Sequence, residues 1–264
     1  MLARDRPNLC CRPWLPWKSH CWTHLSIPAR TVRAQVGKLV HVLDRVVWES
    51  LTTYHAPLSE GNALARRFLR DVNVFASARD DSPAALAALS ELVQPGEQVF
   101  VAQVPEVIIP PDLVEVKAAL GVQMLATRLP SAVRKDDITR LTDADAAEML
   151  VLAKLTEPGP FLARTNQMGQ FVGIRVEGRL AAMAGERMRL PGYTELSGVC
   201  THPDFRGRGF ARRLSAVVVS NIEARGDHAF LHAWKSNHSA IALYEQLGFQ
   251  VRADVNISVL SRPG

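Results

Sequence analysis

The stretch ELSGVCTHPDFRGRGFARR, residues 195–213, decides how this chain is read. Its first seven residues are β-rich and predict a strand. Pro203 and Asp204 end that strand, and Gly207 and Gly209 punctuate a loop. From Phe210 the apolar residues Leu214, Val217, Val218 and Ile222 recur at helical spacing, and Gly226 stands where a helix-ending glycine belongs. A strand that runs through glycines into a helix is an anion-binding arrangement. The first N–H groups of a helix lack intrahelical partners and carry the positive end of its dipole. Glycines let a bulky ligand approach the backbone, so the helix start forms a phosphate cradle. Arg206, Arg208, Arg212 and Arg213 add positive charge. Two arginines in a first helical turn oppose the dipole, and a bound phosphate relieves that conflict.

The spacing narrows the ligand. A dinucleotide fingerprint counted from Gly207 fails, because its sixth position is Arg212, and a Walker loop is absent. What remains is Arg206-x-x-Gly209-x-Ala211. A second block follows, WKSNHSAIALYEQLGF, residues 234–249. Asn237 suits a helix N-cap, Ile241, Leu243, Tyr244 and Leu247 follow at helical spacing, and Gly248 closes the helix. Residues 229–234 form a strand candidate between the blocks.

These two blocks in this order resemble the GNAT superfamily of N-acetyltransferases, whose pyrophosphate loop reads Gln or Arg, x, x, Gly, x, Gly or Ala. The likeness covers roughly residues 138–260 at the level of topology. Within the superfamily it is to the glycine N-acyltransferase-like subgroup. The resemblance implies that Arg206, Gly207, Arg208, Gly209, Phe210, Ala211 and Arg212 take the pyrophosphate of acetyl-CoA. It implies that the central strand over Val199, Cys200 and Thr201 presents a backbone N–H to the thioester carbonyl. Asn237 then contacts the pantetheine arm, and Tyr244 protonates the leaving thiolate, since a phenol with a pKa near 10 is protonated at neutral pH. Gly198 marks a bulge that splays the strand. Glu195 is the preferred base for the amine proton, with Glu186, His232 or a water chain as further candidates. Cys200 reads as packing, because direct transfer needs no nucleophile.

The expected function is therefore transfer of an acetyl group from acetyl-CoA to a primary amine within a ternary complex. A non-catalytic acyl-CoA-binding or protein-interaction module is the alternative from a different class, and a nicotinamide or flavin protein a third. The amine acceptor is open, because acceptor loops vary freely on one fold.

Composition bounds the rest. The chain has 264 residues, 47% hydrophobic and 22% charged, which is ordinary for a globular protein. No run approaches the about 18 apolar residues of a membrane span. The net charge of +5 is concentrated at the start, where residues 1–40 hold seven Lys/Arg against one Asp. The basic balance is thus poor support for a nucleic-acid face. Neither nucleic acid nor membrane is expected as a partner, the expected compartment is cytoplasmic, and a homodimer is compatible with the pattern. Cys10, Cys11 and Cys21 lie in the basic arm with His20 and His24, in a spacing that matches no standard zinc site, so no metal is expected.

The fold class expected is α/β with a mixed sheet, a GNAT-like acyltransferase fold preceded by a smaller α/β N-terminal domain. Residues 1–38 read as a disordered arm or a start assigned too far upstream. Residues 39–128 read as the N-terminal domain, a degenerate GNAT-like half, with helices over 42–51, 60–69 and 83–92 and strands over 98–104 and 122–127. Its work is to shape the acceptor entrance. Residues 129–137 form a linker and 138–264 the catalytic domain. There, Thr142 and Asp145 resemble a capping box and Glu177-Gly178 a hairpin turn. Pro158-Gly159-Pro160 is a rigid loop where the resembled family holds acceptor-binding elements.

Overall fold

The structure is a computed structural model and describes residues 41–128, 130 and 134–264. The arm over 1–38, with its Cys/His group, and part of the 129–137 linker lie outside the described residues. In chain order a 3-10 turn (Val42–Arg45) leads into α1 (Val46–Thr52), β1 (Ser59–Gly61), β2 (Ala65–Phe68), β3 (Ala76–Ala78), α2 (Pro83–Glu91), β4 (Gln98–Gln103) and β5 (Val114–Ala126). Then follow β6 (Ile138–Leu141), α3 (Ala146–Thr156), β7 (Phe171–Val176), β8 (Arg179–Leu190), β9 (Tyr193–Thr201), α4 (Phe210–Ala224), β10 (His228–Trp234), α5 (His238–Gln246) and β11 (Phe249–Ser261). The expected mixed α/β class is the one observed. No helix of the described residues is long and apolar enough to cross a membrane.

Local chemistry explains most boundaries. Ser82 accepts a hydrogen bond from the Ala85 backbone with Pro83 at the first helical position, which starts α2. Thr142 and Asp145 form a reciprocal capping box ahead of α3. The β7–β8 hairpin turns on Glu177 and Gly178, both at positive φ, the backbone that a tight two-residue turn requires. One expectation is corrected: residues 60–69 form β1 and β2, not a helix. Gly61 has φ +125°, and a Cβ there would lie 2.3 Å from the Ala65 carbonyl oxygen. Asn62 Oδ1 accepts from the backbone of Leu64 and Ala65, at 2.8 and 3.1 Å. Turn chemistry at Gly61-Asn62 overrides the helical spacing of the apolar residues.

Among the described residues β1, β2 and β3 form a small sheet, and the other eight strands form one large sheet in the order β4-β11-β5-β10-β9-β8-β7-β6. The β9–β10 pair is parallel and its neighbours are antiparallel. The division expected at 129–137 therefore falls across a single sheet. β5, from the N-terminal segment, lies between β10 and β11 and pairs with both. Strand neighbours are chosen by long-range pairing, which local patterning does not encode.

Alternation along the strands gives the sheet two apolar faces. Ala182, Ala184, Leu196 and Leu231 pack with Leu214, Val218 and Ile222 of α4 on one face. On the other, Met183, Cys200 and Phe171 meet Met149 and Leu152 of α3. Beside them, Met188, Leu190, Phe230 and Val255 are covered by Leu43, Val47 and Phe68 of the N-terminal segment.

A fragment of residues 134–264 is expected to lack a cooperative urea transition. It loses β5 from the middle of the sheet and uncovers Met188, Leu190 and Phe230, each fully buried. Each such side chain contributes about 1.5–3 kcal/mol, against a typical total stability of about 5–15 kcal/mol. A sharp transition with native-like near-ultraviolet dichroism would show that the C-terminal part folds alone.

Candidate active site

The site begins where two central strands part. β9 and β10 pair only at His228↔Tyr193, Ala229↔Thr194 and Phe230↔Glu195. Beyond that point β10 stays with β5 as far as Trp234, and β9 stays with β8 as far as Thr201. The facing edges, 196–201 and 231–234, do not pair with each other. A bulge accompanies the divergence. Between Met183↔Cys200 and Gly185↔Ser197, β8 advances two residues and β9 three. Gly198 sits in the bulge at φ +63°, and a Cβ there would stand 2.9 Å from Phe171 Cε1. Both the backbone and the space call for glycine.

The end of β9 leads to the glycine loop. His202 Nδ1 accepts from the Asp204 backbone at 3.2 Å and turns the chain. Gly207 and Gly209 are at φ +78° and +73°, and a Cβ at either would meet nothing within 4 Å. Gly209 is the N-cap of α4, and no side chain caps that helix. Arg206 and Arg212 make no ion pair among the described residues, and Arg208 stacks 5.2 Å from the Phe205 ring centre. Open space, an uncapped helix and cationic side chains together fit a diphosphate. Arg213 is placed differently from the other three. It pairs with Asp137, with Nη1 3.0 Å from Oδ2, and anchors the start of β6 to α4.

Val199 is half-buried against the α4 core, and Thr201 ends the strand opposite Ala182. Cys200 points the other way, into the cluster under α3. Burial pushes its thiol up to about 12 against weaker hydrogen bonding from Thr156. A thiol so protonated is a poor nucleophile. Across the splay, Asn237 Oδ1 accepts from the Ala240 backbone at 3.1 Å and from Ser239 Oγ at 3.0 Å, so its oxygen caps α5. Tyr244 is half-buried on α5, edge-on to Phe249 at 6.0 Å.

Glu195 lies at the fork of the splay, and its surroundings differ from those expected of a base. It is fully buried, and Arg187 grips it with Nε to Oε2 at 2.8 Å and Nη2 to Oε1 at 2.6 Å. The Met188 N–H donates to it at 3.3 Å and His232 Nδ1 lies 2.7 Å from Oε1. Burial raises the carboxyl pKa, but the Arg187 charge, its hydrogen bonds and His232 outweigh that and hold it well below the usual carboxylate range. Such a carboxylate accepts a proton poorly. These surroundings argue against Glu195 as the proton acceptor and for a role in holding its neighbours.

The other two base candidates are also engaged. Gln123 accepts from Arg252 Nη1 at 2.6 Å and donates to the Leu43 carbonyl at 3.0 Å. That fixes its amide, so its Nε2, 3.0 Å from His232 Nε2, is a donor. The imidazole therefore carries its proton on Nδ1, toward Glu195, and Nε2 accepts. Arg252 continues to Asp44. A polar chain thus crosses five strands, from Arg187 through Glu195, His232, Gln123 and Arg252 to Asp44. Glu186 is bound to Arg225 at 2.8 Å and accepts from the Gln170 N–H at 3.3 Å. Arg187, Gln123, Arg252 and Asp44 had no motif to betray them, because their meeting depends on the strand order.

On the α3 face, the bulge opens into a small depression. Pro158, Gly159, Pro160 and Phe161 form one wall, and Thr165, Phe171, Arg187, Ser197 and Gly198 the rest. Glu157, at φ +49°, ends α3 and starts this loop. Phe161 packs edge-on against Phe171 at 5.7 Å. The proline loop and the splayed strand thus meet at one place.

Glu195→Gln is expected to lower stability at pH 7 by about 3–5 kcal/mol, read by urea unfolding, because it leaves Arg187 largely buried without a counter-charge. The folded-state pKa of Glu195 is depressed. Its contribution is therefore complete above the unfolded value of about 4.3 and is lost as pH falls below it. The wild-type protein loses more stability than the variant between neutral pH and pH values below about 4. Matching acid limbs would contradict the ion pair.

Comparison with known proteins follows the same lines. The family described as FR47-like protein matches residues 171–258, which hold β7 to β11 without the last three residues of β11. A protein from Novosphingobium aromaticivorans assigned to the GNAT family of acetyltransferases superposes with a TM-score of 0.80 at 40% identity, covering 85% of this chain and 100% of that one. A GCN5-related N-acetyltransferase from Kribbella flavida shares the fold at a TM-score of 0.55 and 18% identity, covering 86% and 97% of the two chains. In sequence, the [ribosomal protein bS18]-alanine N-acetyltransferase of Salmonella typhimurium is 36% identical over 87 residues, 32% of this chain. The match spans only 58% of that enzyme's own length. The N-alpha-acetyltransferase RimI of Mycobacterium tuberculosis is 34% identical over 124 residues, 43% of this chain and 77% of the relative. With 40% identity over the whole of the Novosphingobium protein, joined to the splayed strands and the uncapped glycine loop, this chain belongs to the GNAT family of acetyltransferases.

Proposed function

We propose that this protein transfers the acetyl group of acetyl-CoA to the primary amine of an acceptor held on the α3 face of the sheet. One observation carries the reading: the gap between β9 and β10 opens beside the uncapped start of α4. Arg206, Gly207, Arg208, Gly209, Phe210, Ala211 and Arg212 take the diphosphate. The pantetheine arm lies between the parted edges, where Val199, Cys200 and Thr201 supply backbone groups and Asn237 its amide. A backbone N–H there polarises the thioester carbonyl. The amine nitrogen bonds to that carbonyl carbon, the C–S bond breaks, and Tyr244 protonates the departing thiolate. Glu195, His232 and Glu186 are all engaged, so the ammonium proton leaves through water.

The acceptor is narrowed by the relatives. Two of them are named for acetylation of an α-amine, one on a ribosomal protein. They favour the N-terminus of a polypeptide over the narrower glycine N-acyltransferase-like affinity suggested by the motif.

Release of free thiol from acetyl-CoA, measured with a panel of amines and short peptides, tests the activity. Amine-dependent release is expected. Binding of CoA with no acceleration by any amine would point to a silent acyl-CoA-binding protein. Tyr244→Phe is expected to lower kcat by about a hundredfold while leaving CoA affinity nearly unchanged. A parallel loss of both would make Tyr244 structural. Gly209→Val is expected to weaken CoA binding at least tenfold, on the order of 1.4 kcal/mol or more, because a branched side chain is strained at positive φ and stands in the mouth of the cradle.

A further inference from the structure

Arg187 is held more firmly than its place at a pocket wall requires. It lies on β8 where that strand carries an extra residue: between Glu186↔Leu196 and Arg189↔Thr194, β8 advances three positions and β9 two. The bulge turns the side chain toward Glu195, which takes Nε and Nη2. Its guanidinium lies 5.1 Å from the Phe75 ring centre, on an aromatic from the N-terminal segment. Glu195 is itself held by His232 and the Met188 N–H, and His232 by Gln123. Rotation of the guanidinium is therefore blocked on two sides.

Its third nitrogen, Nη1, makes no hydrogen bond among the described residues. Arg187 also lines the depression formed by the proline loop, Thr165, Ser197 and Gly198. Arg187, with one nitrogen uncommitted, is thus fixed at the wall of this depression by a chain of contacts that reaches Asp44. The charge of Arg187 is already balanced by a fully buried carboxylate. The pair as a whole is neutral, and it favours a neutral carbonyl oxygen over a second carboxylate, which would bring Glu195 a like charge nearby.

We propose that Arg187 is a specificity-determining residue that recognises a carbonyl oxygen adjacent to the attacking amine, as in an α-amino amide or the first peptide bond of a polypeptide. Glu195, His232, Gln123, Arg252 and Asp44 are positioning residues behind it. The inference rests on the acetyltransferase reading above and narrows its acceptor to α-amino carbonyl compounds. A hydrogen bond from a charged donor separates ligands with and without the carbonyl by about tenfold to a hundredfold.

The test is direct binding to the full chain saturated with CoA, by ligand-observed saturation-transfer NMR, which needs no turnover. The ligands are alaninamide, alanylglycine amide, isopropylamine and alanine. The two amides are expected to bind at least tenfold more tightly than isopropylamine, with alanine weaker than alaninamide. Arg187→Met is expected to remove the difference between alaninamide and isopropylamine. Because that change leaves Glu195 buried alone, the double variant R187M/E195L serves beside it, replacing both charges with apolar groups. Equal affinities in the wild-type protein, tighter binding of alanine, or a preference that survives in a folded double variant would each overturn the proposal. Thiol release with the same ligands separates the two readings. Turnover without carbonyl selectivity removes only the role of Arg187, and selective binding without turnover removes only the transferase.

Discussion

The parting of β9 from β10 is the constraint on which the rest of the structure depends. Three residue pairs hold the strands together, and then each keeps its outer neighbour while losing the inner one. In an ordinary sheet such edges would cost the hydrogen bonds of a ladder. Here the cost is tolerated because the bulge at Gly198 bends β9 while β8 on the other side keeps it in the sheet. A gap between parted strand edges in the middle of a sheet suits an extended ligand that brings its own hydrogen-bonding groups. The α4 start then lies at the end of the same strand, so one ligand can use both.

The fork of the gap is stiffened by charge. Glu195 is the last residue of β9 paired with β10, and it is buried beneath the N-terminal segment with Arg187 and His232. A buried ion pair of this kind is weak evidence for stability, since desolvation offsets most of the attraction. Its value lies in geometry. Each group has several partners, so neither the guanidinium nor the imidazole can rotate without leaving a buried polar atom unsatisfied.

That network also ties the two halves of the chain together across the one sheet. Gln123 comes from β5, Arg252 from β11 and Asp44 from the first turn of the described chain. The N-terminal segment does more than cover part of one face of the sheet. It supplies a central strand, the ring of Phe75, which lies against Arg187, and the carbonyl of Leu43, which reaches Arg187 through Gln123, His232 and Glu195.

The sequence alone determined what is local. Glycines at 207 and 209, the arginines around them and the spacing of Leu214, Val218 and Ile222 specify a strand, a glycine loop and a helix, because each feature depends on residues a few positions apart. The same holds for the caps at Ser82, Thr142 and Asn237. Tertiary structure decided what is distant. β5 enters the sheet between β10 and β11, and Glu195 is sealed against Arg187 of the neighbouring strand. Arg187 lies only eight residues before Glu195, yet the sequence does not show that the two strands bring their side chains together. The chemistry of Glu195 is set by a guanidinium on the neighbouring strand, an imidazole on the other, and the layer that excludes water from both.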